Sequence, residues 1–463
     1  MSSIKQIILL GFVILLSYLF YVKTLSFFFV SDDFFFISFQ TLIDSIRFRP
    51  DFPHYIPVFM AFMWLLRAIF GPNPTAYHTI TVFLHLLNGI LVYVLGTKIT
   101  RNKTLSIAAT LLFSFFFTHY EVVFWITGIA TSLMTLFYLI GLLAFIRFSN
   151  NSRPAWYGIF LISFLAATLS HEFAISLLYA CLMYNLMFTK KYLSVSSNFR
   201  IFLIPTLLTV LLLSLKISHF SQPSMIHVAS LSSFVESSVK SFSYLIFPFP
   251  GITDLLPKWT HILVSISLAS CYFILFYHNN MIRYFFLWLV ITIVLFCLVS
   301  VPQARYLYLS SIPAIYVLLL GIFEFRKIKI RYILIILCFF TNLSFLYNQY
   351  VIWKKSSEIV KNVTTDFKQM FPVYPTDKKI IFINFPDSLN GPPWNAYLFR
   401  NGMEETIEYL YGVFPSNVQY ARTMPLTLRL RNDPYLKTIP NGFIVVYDNE
   451  INKIILVPKI EEL

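Results

Sequence analysis

Two adjacent carboxylates, Asp32 and Asp33, sit in the run Phe27-Phe28-Phe29-Val30-Ser31-Asp32-Asp33-Phe34-Phe35-Phe36, just beyond the first apolar segment. Charged groups held near a bilayer are costly unless paired or put to work, so this pair is a candidate site. A carboxylate there can take the proton of an attacking hydroxyl. Repulsion from its neighbour raises the proton affinity of one of the two, which suits a base working near neutrality. Three further turns carry reactive side chains: His119-Tyr120-Glu121, Ser170-His171-Glu172 and Gln303-Ala304-Arg305-Tyr306-Leu307-Tyr308. The planar fork of an arginine binds phosphate bidentately, and a positioned cation stabilises charge developing on a leaving oxygen, which makes Arg305 the cation of interest. Asp32 and Asp33 with Glu172 could also hold a divalent cation through oxygen ligands. His78 and His85, seven residues apart, share one helix face. His78 is a candidate binding residue, whereas His85 reads as a buried, hydrogen-bonded histidine.

The elements that must position these residues are set by composition. The chain has 463 residues, 57% hydrophobic and 12% charged, and a mean hydropathy of +0.71. Globular domains carry about a quarter charged residues, so this is an integral membrane protein. The net charge of +14 does not indicate nucleic acid. From Trp353 onward there are 13 basic and 12 acidic residues, which leaves 22 basic against nine acidic residues in the apolar part. That imbalance is an orientation signal. The four cysteines, Cys181, Cys271, Cys297 and Cys338, lie in apolar runs without paired spacing and imply no disulfide or zinc framework. The first apolar stretch has no small-residue cleavage site after it and reads as an uncleaved signal anchor.

About 20 apolar residues cross the hydrocarbon as a helix. Eleven stretches qualify or nearly so, at about 4–22, 77–97, 104–118, 124–146, 155–170, 173–189, 200–217, 259–277, 284–301, 306–323 and 331–348. With the N-terminus inside, the cytoplasmic connections carry Lys98/Arg101/Lys103, Arg147/Arg153, Lys190/Lys191/Arg200, Arg283 and Arg326/Lys327/Lys329/Arg331, all basic as the positive-inside rule requires. Asp32, Asp33, Asp44, Asp51, Glu121, Glu172, Glu236 and Asp254 then fall outside, with Glu324 alone inside. A working face on the outer side accounts for that gathering. In the long first loop, Ile56 to Phe70 is too short to span and too apolar for water, so the expectation is a helix lying in the interface. A second long loop, about Ser218 to Lys258, contains the helix-breaking Phe247-Pro248-Phe249-Pro250-Gly251. After Tyr350, Lys378 to Phe385, Gly442 to Asp448 and Ile451 to Val457 read as short strands between Pro/Gly/Asn turns. The fold class is therefore an all-α polytopic membrane protein of about 11 transmembrane helices, residues 1–349, followed by a small extracytoplasmic α/β domain, residues 350–463.

The turns and their order resemble the GT-C superfamily of membrane glycosyltransferases, especially protein O-mannosyltransferases. The blocks that carry the likeness span about residues 1–325. They are Ser31-Asp32-Asp33; Phe48-Arg49-Pro50; Gly71-Pro72-Asn73-Pro74-Thr75-Ala76-Tyr77-His78 with Leu84-His85-Leu86-Leu87-Asn88; His119-Tyr120-Glu121-Val122-Val123-Phe124-Trp125-Ile126-Thr127-Gly128; His171-Glu172; and Ala304-Arg305-Tyr306-Leu307-Tyr308-Leu309-Ser310. Where the family often has Arg-x-Asp after the Trp-x-x-Gly turn, this chain has Ile129-Ala130-Thr131, and it lacks tetratricopeptide repeats. The resemblance implies an inverting glycosyltransferase that moves a sugar from a polyprenyl-phosphate carrier to a hydroxyl of a protein, lipid or envelope glycan. It implies Asp32 as base with Asp33 supporting, and Glu121, His171, Glu172, Arg305 and His78 around the substrates. No cofactor and no metal are implied, a divalent ion remaining compatible with the carboxylates. The partners are the lipid-linked donor, the acceptor and membrane lipids, with no nucleic acid. The setting is a bacterial cytoplasmic membrane with the C-terminal domain outside. Three other readings stay open on the same residues: a transporter or flippase of a lipid-linked sugar, an envelope glycan polymerase or ligase, and a noncatalytic assembly protein whose tail binds a partner. Transport calls for ionisable residues near the midplane and matching broken helices, against the one-sided acidic gathering seen here.

Overall fold

A computed structural model describes residues 3–38, 41–47, 54–189, 195–219, 229–246, 266–267, 270, 279–299, 303–391, 393–421 and 442–457. Phe48-Arg49-Pro50, Asp51, Asp254, the Phe247 to Gly251 breaker and the 259–277 stretch lie outside these residues.

Within lipid a helix satisfies its own backbone groups, and the apolar runs fold accordingly. In chain order the helices are α1 (Ser3–Tyr21), α2 (Asp33–Phe36), α3 (Leu42–Ile46), α4 (Pro57–Phe70), α5 (Pro74–Thr100), α6 (Lys103–Ser114), α7 (Tyr120–Phe124), α8 (Ile129–Asn151), α9 (Pro154–Thr168), α10 (Ser176–Phe188), α11 (Val195–His219), α12 (Leu231–Ile246), α13 (Asn280–Val299), α14 (Leu307–Glu324) and α15 (Ile328–Met370). Their starts follow capping rules. Asn73 accepts from the Thr75 N–H with Pro74 at the first position of α5, and Asn102 accepts from the Leu105 N–H at α6.

Among the described residues, six helices are long and apolar enough to cross a bilayer: Ile4–Ser26, Pro74–Thr100, Ile126–Asn151, Asn280–Leu298, Ala304–Glu324 and Ile328–Met370. The pair Lys103–Ser114 and Phe117–Phe124, bent by 48°, makes a seventh if it is counted as one span. Eleven were expected. The stretches at 155–170 and 173–189 fold as α9 and α10, of 15 and 13 residues, and at about 20 Å each is shorter than the hydrocarbon thickness. The apolar part of α11, Ile201–Leu215, is equally short. The Ile56 to Phe70 stretch forms a helix, α4, of 14 residues. It buries Phe59, Met60, Met63 and Leu66 and leaves Leu65, Ile69 and Phe70 exposed.

The bend between α6 and α7 frees backbone groups that lipid cannot satisfy, and side chains from three other helices take them up. The Ser114 carbonyl accepts from the Tyr21 hydroxyl (2.9 Å) and meets His85 Nε2 (3.1 Å). The Phe117 N–H donates to Asn342 Oδ1 (3.0 Å). His85 Nδ1 pairs with the Tyr308 hydroxyl (2.9 Å), which also accepts from Asn88 Nδ2 (3.3 Å). His85 is thus the buried, hydrogen-bonded histidine its spacing suggested.

The last helix, α15, runs without a break past residue 350 to Met370. Its far half carries the tail's core, with Trp353, Ile359, Val360, Val363 and Phe367 packed against the strands. These are β1 (Lys379–Ile383), β2 (Ser388–Leu389), β3 (Ala396–Tyr397), β4 (Val418–Ala421), β5 (Gly442–Asp448) and β6 (Lys453–Val457), with α16 (Glu404–Tyr411) between β3 and β4. The main sheet has the order β4-β1-β5-β6. Strand β1 pairs in parallel with β4 and β5, and β6 runs antiparallel to β5. The three expected strand runs are β1, β5 and β6.

Candidate active site

The aspartate pair lies on a tight turn. Ser31 takes a left-handed conformation (φ 52°), which costs a non-glycine residue on the order of 1–2 kcal/mol. The surroundings hold it there: the Ser31 N–H donates to the Leu398 carbonyl of the tail (2.8 Å). Half-buried Asp32 accepts from the Ser31 hydroxyl (3.0 Å) and from Asn401 Nδ2 (2.7 Å) through the same oxygen, Oδ1. Asp33 is fully buried. Its Oδ2 accepts from the Val30 N–H (3.0 Å), and its Oδ1 accepts from both the N–H and the hydroxyl of Thr127 (each 2.9 Å). Burial raises the Asp33 carboxyl to about 7, against these hydrogen bonds, which lower it. Asp33 is tied to the scaffold and Asp32 is the more open of the pair.

Thr127 belongs to the Trp-x-x-Gly turn, so Asp33 staples the first loop to the end of the bent span. The Trp125 indole N–H donates to the Val30 carbonyl (3.3 Å), a second staple between the same segments. The glycine that closes the turn has no alternative. A Cβ on Gly128 would lie 2.6 Å from the Glu121 carbonyl oxygen and from Val122 Cα. The backbone can double back onto α7 only without a side chain at this position.

The bent span delivers Glu121, fully buried, to the turn that opens α14. Glu121 Oε2 accepts from the Arg305 N–H (2.9 Å) and from Arg305 Nη1 (3.4 Å). Its Oε1 accepts from the Tyr397 hydroxyl (3.2 Å). Tyr397 also reaches Gln303 Oε1 (2.7 Å), and Arg305 Nη1 donates to both Gln303 and Tyr397. The guanidinium lies between the Trp125 ring (5.2 Å) and the Tyr306 ring (4.8 Å), with 15% of its side chain exposed. Burial among these acceptors raises the Tyr397 hydroxyl above its ordinary value; desolvation is the larger cause and the Glu121 charge adds to it. The phenol therefore stays protonated and keeps donating.

His171 and Glu172 sit on the far side of Tyr306. The His171 ring is 5.9 Å from the Tyr306 ring and 6.0 Å from that of His54. Glu172 Oε1 pairs with His54 Nδ1 at 2.8 Å, and Oε2 lies 3.7 Å from His171 Nδ1. A narrow cavity opens beside them, lined by His171, Phe173, Phe296, Tyr306, Thr131 and Ser310 among others. Asp32 does not line it. His78 stands apart, fully buried with its ring edge-on to Phe27 (5.9 Å). Direct contacts thus run from Asp32 through the tail to Arg305 and Glu121, and on through Tyr306 to His171, Glu172 and His54. Among the described residues, no cluster of three or more His, Cys, Asp or Glu is arranged to hold a metal ion.

Four of these residues are absent from the sequence reading as site members: His54, Thr127, Tyr397 and Asn401. Thr127 lies inside a block that was read. Tyr397 and Asn401 are 276 and 369 residues from the carboxylates they bond. A single chain carries no local signal for contacts at that separation.

No family model and no curated protein matches the chain. Among solved structures, it is similar to the crystal structure of ArnT from Cupriavidus metallidurans bound to undecaprenyl phosphate, at 11% identity and a TM-score of 0.47, over 97% of this chain and 94% of that one. It is also similar to the oligosaccharyltransferase of Archaeoglobus fulgidus, in one structure tethered to an acceptor peptide (12% identity, TM-score 0.43, 82% of this chain and 62% of that one). In another, that enzyme is in complex with zinc and sulfate (13% identity, TM-score 0.41, 80% and 60%). These neighbours are GT-C glycosyltransferases. At such scores they assign no residue and no substrate to this chain, whose chemistry rests on its own side chains.

Proposed function

We propose that the chain is an inverting glycosyltransferase that moves a sugar from a polyprenyl-phosphate carrier to a hydroxyl acceptor at the outer face of a membrane. The observation that carries this reading is the junction itself: a half-buried carboxylate and an arginine with 15% of its side chain exposed, from segments far apart in sequence, are fixed by one strip of the tail, Tyr397 to Asn401. A polyprenyl phosphate is a good leaving group, so transfer needs one base and one cation and not the two carboxyl groups of a glycosidase. Asp32 takes the acceptor hydroxyl's proton as its oxygen attacks the anomeric carbon from the face opposite the phosphate, and the configuration inverts. Arg305 meets the phosphate as negative charge gathers on the leaving oxygen. Glu121 orients the guanidinium, and Asp33 holds the loop that aims Asp32. His171 lines the cavity, with Glu172 and His54 paired beside it, and substrate groups approach from that side. The role given to Arg305 requires no metal cofactor.

The test is transfer of radiolabelled sugar from polyprenyl-phosphate monosaccharides in membranes that contain the full chain. Asp32→Asn is expected to lower turnover by about 10²- to 10⁴-fold, the usual contribution of a general base. Asp33→Asn is expected to lower it less, through displacement of the loop. Unaltered turnover in both variants would remove the catalytic assignment.

A further inference from the structure

Helices α5 and α8 both begin at the site end, at the His78 and Gly128 blocks, and run some 20 residues to basic ends. At 1.5 Å per residue, that places Lys98 and Arg147 about 30 Å away, at the opposite end of the bundle. There α5, α8 and the start of α9 enclose a cleft of about 250 Å³, lined by Leu91, Val94, Ile140, Leu143, Trp156 and Ile159, with Lys98 and Arg147 also in its wall. Among the described residues, no acidic one lines it. The cleft lies on a flank where Ile159 and Ile162 are exposed (38% and 71%), a surface that faces lipid in a membrane. Apolar walls of this extent do not hold water and accept hydrocarbon instead.

We propose that this cleft is a binding site for one anionic phospholipid, with an acyl chain between α5, α8 and α9 and the phosphate between Lys98 and Arg147. The orientation rule asks only for basic residues in the connections, and Arg101, Lys103 and Arg153 already supply those. Lys98 and Arg147 differ in that both belong to the wall of one apolar cleft. The Arg147 guanidinium is also held in place, 4.5 Å from the centre of the Trp156 ring, and a cation stacked on an aromatic face presents its in-plane donors in a fixed direction. Two cations at the rim of a hydrocarbon slot, with no carboxylate among its described lining residues, match a ligand with an apolar chain and an anionic head. A zwitterionic lipid fills the slot equally well but brings its own cation to the rim.

The experiment offers the purified full chain an equimolar mixture of phosphatidylglycerol and phosphatidylcholine with identical acyl chains and counts retained lipids by native mass spectrometry. The expected result is one phosphatidylglycerol retained in preference to phosphatidylcholine, with the preference falling about fivefold for each cation removed in Lys98→Gln and Arg147→Gln. Lys98 is exposed, so Lys98→Glu leaves the fold intact and is expected to invert the preference. Equal retention of the two lipids overturns the proposal, as does a preference that survives Lys98→Glu. Inorganic phosphate at matched concentration is expected not to compete; competition would mean a free-anion site and would also overturn it. None of these outcomes depends on the transferase reading, because the measurement involves neither donor nor acceptor.

Discussion

Asp33 shows what one buried carboxylate does to a whole protein's pH response. Its folded value of about 7 lies above the usual unfolded value of about 4, so the folded state holds the proton more tightly. The stability linked to this group is fully present below about pH 4 and is lost as pH rises through 7. Thermal unfolding in detergent is therefore expected to show a fall in midpoint between pH 4 and 7 that flattens in Asp33→Asn. An unchanged slope in the variant would mean that Asp33 is not the titrating group. At Glu121 the expectation is different. Removing one charge of a buried pair strands the other, so Glu121→Gln is expected to destabilise by about 3–5 kcal/mol, read as a lowered denaturant midpoint. The sequence marked both residues, because carboxylates in so apolar a chain stand out. It did not separate Asp32 from Asp33, because the difference lies in which backbone N–H groups the folded loop turns toward each.

The elements around these residues were legible wherever one segment carried its own signal. The apolar periods, the Asn73 and Asn102 caps and the strand runs are local, and the corresponding helices and strands form. The bend between α6 and α7 is of another kind. The stretch reads as one helix to about residue 118, and the freed backbone groups at the break are met by side chains from α1, α5 and α15, all remote in sequence. Replacing Asn342 by Leu leaves the Phe117 N–H without its partner in a buried setting, at an expected cost of about 1–3 kcal/mol. Gly128→Ala tests the turn beyond the bend. A Cβ at 2.6 Å from two backbone atoms forces the Trp125 to Gly128 turn off α7, and both stability and transfer are expected to fall. A variant with full transfer would show that the turn tolerates the displacement.

At the scale of the molecule, the tail packs against the candidate site residues. Sequence reading separated an apolar bundle from a near-neutral α/β tail by composition, and composition reports solvent, not contact. In the structure α15 carries the chain from one into the other, the Phe28 N–H donates to Ser357 (2.6 Å), and the tail strip reaches both Asp32 and Arg305. Tyr397→Phe removes the hydroxyl shared by Glu121 and Gln303, and Asn401→Ala removes the donor to Asp32. Each is expected to reduce transfer about tenfold, as a misplaced catalytic group does, while the protein still inserts and extracts normally. The most direct test of the central claim, that base and phosphate cation act on one bound donor, is to measure donor binding and transfer separately with the same labelled polyprenyl-phosphate sugar. The account predicts that Asp32→Asn binds donor as the wild type does and fails to transfer it, whereas Arg305→Gln loses donor binding. Wild-type donor binding by Arg305→Gln, or loss of binding together with transfer in Asp32→Asn, would contradict it.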